Sequence, residues 1–282
     1  MNTKRQLAKF YPGYETSDGA GVNLLRLLGT PAIDMLDPFL MLDFIHSDNP
    51  DDYIAGFPSH PHRGFETVTY LFNGKMKHKD NAGHEGVINS GGVQWMTAGR
   101  GIIHSETPQQ SNGLLSGIQL WVNLPKEHKM MTPRYQELEP DEIPEEDLKD
   151  KGKVRVIAGK SATGISGPIK DLKTDISLLD IQLYKNGEYQ LNITDNFNVF
   201  IYTHQGQFEI IAGNETTILP KDGINVLTSG NIIHLKGLEE DNRLLLFAGK
   251  PINEPVVKHG PFVMNSKDEI RQAINDFQSG NF

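Results

Sequence analysis

Two short motifs, His60-Pro61-His62 and His104-Ser105-Glu106, narrow the fold of this chain more than its other features do. Each motif carries two donor side chains at positions i and i+2. In a β-strand that spacing puts both side chains on one face, because successive side chains alternate between faces. Two such strands side by side can therefore direct three imidazoles and one carboxylate at a single point. This donor set contains no thiolate and suits one transition-metal ion, so the motifs predict a mononuclear metal site in a β-structure.

The alternative is that these histidines are surface or hydrogen-bonded core residues, since the chain has 10 histidines. Their neighbours favour the metal. The first motif precedes the strand-like run 65–72, and the second follows a glycine turn and two isoleucines, so both motifs lie at strand edges. Pro61 fits such an edge, where it need not donate a ladder hydrogen bond. We therefore prefer metal binding as the interpretation.

Length and composition limit the classes of protein to which the chain can belong. Its 282 residues predict two domains, and its 28 glycines and 16 prolines favour short strands joined by turns. The absence of cysteine excludes disulfides and thiol catalysis and fits a reducing compartment, so we expect a cytoplasmic protein. The net charge of -9 argues against direct nucleic-acid binding. No secretion signal or bilayer-spanning stretch is evident, so no membrane partner is expected, whereas a protein partner stays open although no motif supports one.

The chain repeats itself weakly. Residues 69–74 resemble residues 201–206, which lie 132 positions further on, and residues 102–104 recur 130 positions further on as residues 232–234. A difference of two positions between the offsets is what hairpins of unequal length would produce. The pattern predicts an internal duplication of one β-barrel-sized unit.

The second copy is expected to lack the metal donors of the first. With the offset of 132, the first histidine pair falls on Asn192 and Thr194, and with the offset of 130 the position of Glu106 falls on Lys236. A lysine ammonium would repel a cation, which leaves His234 as the single retained donor. We therefore expect a second half without metal, in which His234 is a packed or hydrogen-bonded structural residue.

The predicted domain boundaries follow from charge and periodicity. Residues 137–147 combine dense negative charge with two prolines, which indicates an exposed linker with at most a turn of helix. We predict a first domain at 1–136 with the metal site, an acidic linker at 137–150 and a second domain at 151–282 without metal.

The second domain is predicted to end in a helix. Ser266 and Glu269 match a capping box, an apolar stripe with helical spacing follows, and Gly280 supplies the stop. The stripe consists of Ile270, Ala273, Ile274 and Phe277.

With these motifs, the chain resembles the pirin family of the cupin superfamily. The matching stretches are densest in the first half but extend over essentially the whole chain, at residues 37–43, 60–68, 91–106, 120–125 and 260–265. The resemblance implies an all-β bicupin, two packed β-barrels of the double-stranded β-helix type with a short C-terminal helix. It also implies a metal in the first barrel, Fe(2+) in the first place with other divalent transition metals as alternatives. The ligand set it implies is His60, His62, His104 and Glu106.

One position departs from the wider cupin pattern. Many cupins have a glutamate ligand three or four residues after the first histidine pair, and Glu66 fills that position here. We assign the ligand role to Glu106 instead, because its i+2 relation to His104 gives the two side chains a shared face. Glu66 is expected to support the site or to pair strands.

The resemblance implies a quercetin 2,3-dioxygenase, a metal-dependent enzyme that cleaves flavonols such as quercetin with O2. Glu106 is the candidate catalytic base for the flavonol hydroxyl proton, although a carboxylate that binds a cation has a lowered pKa and is a poorer base. The alternative function is an iron-dependent, redox-sensitive regulatory protein that binds other proteins without catalysis. A cupin isomerase or hydrolase that uses the same ligands is a third candidate.

Four further residues have predicted surroundings. His78 and His84 lie in a predicted hairpin tip and are expected in solvent rather than near the barrel mouth. Trp95 and Trp121 are expected in the core, with an aromatic wall for a planar substrate as the alternative.

Overall fold

The computed structural model describes residues 3–282, and β-strands dominate it. The strands of the N-terminal half are β1 (Leu7–Pro12), β2 (Tyr14–Asp18), β3 (Val22–Leu28), β4 (Phe39–Ser47), β5 (Phe57–His62), β6 (Phe65–Asn73), β7 (Met76–Asp80), β8 (Glu85–Ile88), β9 (Val93–Thr97), β10 (Ile102–Pro108), β11 (Leu115–Asn123) and β12 (Arg134–Leu138). The elements of the C-terminal half are β13 (Glu145–Asp147), β14 (Gly152–Ala158), β15 (Ile176–Tyr184), β16 (Glu188–Asn192), β17 (Asn198–Gln205), β18 (Phe208–Ala212), β19 (Glu215–Ile218), β20 (Gly223–Leu227), β21 (Ile232–Gly237), β22 (Asp241–Gly249), β23 (Val257–His259), β24 (Phe262–Met264) and the helix α1 (Lys267–Gln278).

The strands form two barrels with the same construction. The first barrel has a seven-stranded sheet in the order β12-β9-β6-β11-β4-β3-β2 and a four-stranded sheet in the order β5-β10-β7-β8. The second has a seven-stranded sheet in the order β1-β20-β17-β22-β15-β14-β13 and a four-stranded sheet in the order β16-β21-β18-β19. The two orders correspond strand for strand. The predicted all-β bicupin with a short C-terminal helix is thus confirmed.

The chain does not divide at the predicted boundaries of 1–136, 137–150 and 151–282. Residues 14–29, 38–140 and 252–282 make up the unit of the first barrel, and residues 3–13, 30–37 and 141–251 make up the unit of the second. The N-terminal strand β1 pairs with β20 and is an edge strand of the second barrel. The C-terminal strand β24 is bridged to Arg63 and belongs to the first barrel. Long-range strand pairing of this kind leaves no mark on composition.

The acidic segment 137–147 joins the two units, as predicted, because the unit of the first barrel ends at residue 140 and that of the second resumes at residue 141. Unlike a solvated linker, however, it is paired with strands at both ends and is partly buried. Its beginning lies in β12, which pairs with β9, and its end lies in β13, which pairs with β14. Ile143 and Glu146 are buried, and the Glu146 carboxylate accepts a hydrogen bond of 3.4 Å from the Tyr189 hydroxyl. Strand alternation turns Glu146 inward between two exposed acidic neighbours.

The helix α1 has the predicted cap. The Glu269 amide donates to the Ser266 hydroxyl at 3.2 Å, and Ile270 and Ala273 are buried against Phe262 and Met264. The helix therefore packs within the first barrel's unit, not in the second domain to which the sequence assigned it. Among residues 3–282, no helix combines the length and apolar character needed to cross a membrane.

Candidate metal centre

The two donor motifs lie on neighbouring antiparallel strands of the first barrel's four-stranded sheet. In the β5–β10 ladder, His104 lies opposite His60 and Ile102 lies opposite His62. Burial along β10 alternates, with Ile102, His104 and Glu106 buried and the residues between them more exposed. The side chains of His104 and Glu106 therefore point into the barrel from one face of the strand.

Three of the four predicted ligands converge. Among residues 3–282, His60, His62 and His104 form the group of metal-donor side chains whose ligand atoms all lie within 4.8 Å of one another. The Nε2 atoms of His60 and His62 are 2.9 Å apart. The ring centroid of His104 lies 4.5 Å from that of His60 and 5.0 Å from that of His62.

The surroundings orient the ring of His60 and keep His62 and His104 neutral. His60 Nδ1 donates to the Pro58 carbonyl at 2.8 Å, which directs its Nε2 towards His62. Burial lowers the pKa of His62 well below its ordinary value, and burial lowers the pKa of His104 to about 4. At neutral pH both rings are therefore uncharged and can bind a cation.

The geometry fits a bound transition-metal ion. Both ring nitrogens of His104 are buried and have no hydrogen-bond partner among residues 3–282, although buried polar groups normally have one. Two nitrogens bound at about 2.1 Å to one ion and at a right angle would lie about 3 Å apart. The Nε2 atoms of His60 and His62 have this separation. A divalent metal would thus satisfy a buried His104 lone pair that has no hydrogen-bond partner among residues 3–282.

Glu106 is near this group without belonging to it. Its carboxylate is buried, and the Gln119 amide donates to Oε1 at 3.0 Å and to Oε2 at 2.9 Å. The Thr69 hydroxyl donates to Oε1 at 3.4 Å. The sequence interpretation did not single out Gln119. The available signal was a polar residue within the otherwise apolar stretch 118–122 of β11, two positions before Trp121, which places both side chains on one face.

Glu66 has a different set of contacts. It is fully buried, and its Oε1 accepts a hydrogen bond of 2.6 Å from the Thr97 hydroxyl, which in turn lies 3.4 Å from the donor Arg134 Nε. Within residues 3–282 it is not part of the three-histidine group. These contacts join β6, β9 and β12, so Glu66 connects strands of the larger sheet.

An open cavity of about 550 Å³ adjoins the histidines. His62 packs edge-on against Trp121 with ring centroids 5.2 Å apart, and Trp121 also packs against Phe65 at 4.3 Å. Trp95 is buried in the core as predicted, whereas Trp121 forms part of the cavity wall, which was the alternative. The other residues that line the cavity are Asp18, Gly19, Arg26, Met41, Phe57, Pro58, His60, Gln119, Gly260 and Pro261.

A charged cluster lies at this cavity. Arg26 donates to both Asp43 oxygens at 2.8 Å and to Asp18 at 2.8 Å. These bonds to Asp43 raise the pKa of Arg26, whereas burial raises the pKa of Asp43. Two carboxylates therefore fix the position of the guanidinium.

The prediction that His78 lies in solvent is wrong. It is almost fully buried, lies opposite Glu106 in the β7–β10 ladder, and has its Nε2 2.5 Å from a Glu137 oxygen. Alternation along β7 puts Met76, His78 and Asp80 on the inner face. His84 is half exposed and stacks on Tyr135 with ring centroids 4.5 Å apart.

The second barrel fills the corresponding positions with aliphatic side chains. In the first barrel His60 pairs with His104, and Glu106 pairs with His78. The matching pairs in the second barrel are Leu191 with Ile233 and Leu235 with Ile210, all buried in its core. These side chains offer no ligand atom.

The predicted counterparts Asn192, Thr194, His234 and Lys236 were therefore wrong. The Ile-Ile-His similarity is one residue out of register, and a slip of one residue turns every side chain to the other face of a strand. His234 accordingly points away from the core, and its Nε2 lies 3.0 Å from a Glu188 oxygen, so it is the hydrogen-bonded histidine that was expected.

Known proteins are similar to this chain in sequence and in fold. Residues 21–122 match the Pirin family, and residues 178–282 match the Pirin C-terminal cupin domain. The chain is 46% identical over 278 residues to a pirin-like protein of Caulobacter vibrioides, with 99% of each covered. It is 42% identical over 281 residues to pirin of Homo sapiens, with 99% of this chain and 94% of the other covered. A crystal structure of quercetin 2,3-dioxygenase from Acinetobacter baumannii is similar with a TM-score of 0.89 and 35% identity, covering 99% of this chain and 98% of that one. Together the two family models match more than half of the chain, and the chain belongs to the pirin family.

Proposed function

We propose that this chain is an iron-dependent dioxygenase that cleaves flavonols such as quercetin with O2. The observation that carries the proposal is the convergence of three imidazoles beside a cavity of about 550 Å³. Cavities of this size commonly accept small organic molecules. The similarity to the quercetin 2,3-dioxygenase of Acinetobacter baumannii supports the choice of substrate class.

His60, His62 and His104 would hold the ion, with Glu106 as the fourth ligand. Imidazole and carboxylate suit Fe(2+), while manganese, cobalt, nickel and copper are alternatives for the same donors. When bound, the ion supplies Lewis acidity and an electron path for the reaction with O2. Glu106 can join the three histidines once its carboxylate gives up bonds from Gln119.

The cavity wall suits a planar aromatic substrate. Trp121 and Phe57 both line it, and aromatic rings stack favourably on flat apolar molecules. In the proposed reaction O2 adds to the electron-rich flavonol ring and carbon monoxide leaves. Trp121 also contacts His62, so a substrate that stacks on this ring lies next to the proposed metal centre.

Glu106 is the proposed acceptor of the flavonol hydroxyl proton. The Gln119 amide donates to both oxygens of this carboxylate and orients it in the barrel. A carboxylate oxygen that binds the ion is less available to accept a proton. Ligand and base are thus competing roles of one side chain.

The test is O2 consumption by protein loaded anaerobically with Fe(2+) and then mixed with quercetin. We expect consumption that parallels the loss of quercetin absorbance and is absent from His62→Ala. His234→Ala, which alters a histidine of the second barrel, should behave as the unaltered protein does. Consumption no greater than that of His62→Ala would overturn the enzymatic proposal and favour the regulatory alternative.

Glu106→Gln separates the two roles of that residue. Retained iron with lost turnover would assign Glu106 as the base. Lost iron would assign it chiefly as a ligand.

A further inference from the structure

The C-terminal helix contacts the residue that follows a proposed metal ligand. Arg63, next to His62, is 3% exposed, and its Nη1 lies 2.7 Å from an Asp276 oxygen on α1. Its guanidinium carbon lies 4.3 Å from the centre of the Phe282 ring, and its Nε donates to the Arg100 carbonyl. The Arg63 side chain is therefore fixed by three separate groups.

The backbone of Arg63 is held by the same C-terminal segment. Its amide donates to the Pro261 carbonyl at 3.2 Å, and the Val263 amide donates to its carbonyl at 3.0 Å. The buried Lys129 ammonium bonds the Gly64 carbonyl at 2.7 Å and the Val263 carbonyl at 3.0 Å. Position and direction of the chain just after His62 thus depend on residues 261–263.

The C-terminal segment is also connected to β10, the second strand that carries a proposed metal ligand. The Asn81 amide side chain donates to the Phe282 carbonyl oxygen at 3.0 Å. Asn81 also exchanges two bonds with Ile103, by its backbone amide at 2.9 Å and by its Oδ1 at 3.1 Å. Ile103 precedes His104. The C-terminal segment therefore contacts β5 beside His62 and, through Asn81, β10 beside His104.

We propose that Arg63 is a positioning residue that couples the docking of α1 to the metal affinity of the three-histidine centre. A bound ion requires His62 and His104 to converge, and the contacts of Arg63 and Asn81 favour that same arrangement. Coupling between two events is reciprocal, so docking tightens metal binding and metal binding protects the docked helix. The inference rests on the metal site of the proposed function.

The test compares Asp276→Asn with Asp268→Asn in the full-length chain. Asp276 bonds Arg63, whereas Asp268 forms an exposed pair with Arg271 on the same helix. Ni²⁺ is the probe, and its affinity is measured by competition with a chelator. We expect Asp276→Asn to weaken Ni²⁺ binding about fivefold or more, Asp276→Glu to restore it in part, and Asp268→Asn to leave it unchanged.

Hydrogen exchange of residues 267–278 is the second measurement. Ni²⁺ should slow exchange there in the unaltered protein and in Asp268→Asn, with a smaller effect in Asp276→Asn. Equal Ni²⁺ affinity and equal protection in both asparagine variants would overturn the coupling while leaving the metal site intact. Absence of Ni²⁺ binding by the unaltered chain would overturn both the site and the coupling.

Discussion

His60 and His62 direct their Nε2 atoms at each other across 2.9 Å. The bond from His60 Nδ1 to the Pro58 carbonyl holds that ring with its other nitrogen turned towards His62. Two nitrogens at such a distance need a shared proton or a cation between them. The position of His104 beside both rings favours the cation.

Loss of one imidazole should therefore abolish stable metal binding. We expect His62→Ala to lower the metal content of purified protein from about one ion per chain to a background level, because two imidazoles bind a divalent ion weakly. Elemental analysis of protein from its native host measures the content and identifies the metal. His234→Ala serves as the control, and equal metal contents in both variants would contradict the site.

The Gln119–Glu106 contact predicts a link between the free energy of unfolding and metal binding. We expect Gln119→Leu to lower the free energy of unfolding of metal-free protein by about 1–3 kcal/mol, because a buried carboxylate loses its donor. If Glu106 binds the ion, added metal should then stabilise this variant more than it stabilises the unaltered protein. Urea unfolding with and without Ni²⁺ measures both quantities.

Gln94→Leu is the control for this experiment. Gln94 is also buried, and its amide donates to Glu137 at 3.1 Å. Its removal should lower the free energy of unfolding without increasing the stabilisation by metal. The same gain from metal in both variants would exclude Glu106 as the fourth ligand.

Gly64 should tolerate no side chain. Its φ is +89°, and a Cβ atom there would lie 2.0 Å from the Val263 carbonyl oxygen. Gly83 has the same φ of +89° with no atom within 4 Å of such a Cβ, so Gly83→Ala isolates the backbone strain. We expect Gly64→Ala to lower the free energy of unfolding by at least about 2 kcal/mol more than Gly83→Ala does. Equal losses of unfolding free energy in the two variants, measured by denaturant unfolding, would show that the strand containing Val263 moves to accommodate the Cβ atom.

The lowered pKa of the buried Lys129 predicts that the free energy of unfolding rises with pH. Burial lowers the pKa of Lys129 to about 8 from the ordinary 10.5. Between these values the unfolded chain binds more protons than the folded one, so the free energy of unfolding increases as pH rises from about 8 to about 10. The gain is at most about 3 kcal/mol, and the three oxygens that accept from the ammonium reduce it.

Lys129→Met should flatten this pH dependence, whereas Lys126→Met, at an exposed position nearby, should retain it. Urea unfolding at about pH 8 and about pH 10 gives the two slopes. Identical slopes in the two methionine variants would assign the pH dependence to other groups.

The sequence was sufficient to predict the structure where the spacing of nearby residues determines the direction of their side chains. The i, i+2 spacing of the histidines predicted a shared inner face, and the cap at Ser266 predicted the start of α1. The sequence was insufficient where a shift of one residue in strand register determines which face of the sheet a side chain occupies. The Ile-Ile-His similarity misaligned the second barrel because a short apolar match looks the same on either face of a strand. His78 was misplaced because its partner Glu137 lies on a strand distant in sequence. Gln119 was missed although its partner Glu106 lies on the preceding strand β10, because hydrogen bonds between side chains leave no spacing pattern in the sequence.

The exchange of terminal segments has a consequence for anyone who would dissect this chain. A fragment cut near residue 140 keeps all three histidines but loses the hairpin and helix that brace Arg63, and it carries an N-terminal strand whose pairing partner has been removed. The complementary fragment would lack the edge strand of its own sheet and carry a helix with no surface to cover. Neither piece is a self-contained domain, because each lacks a terminal segment that its own unit contains.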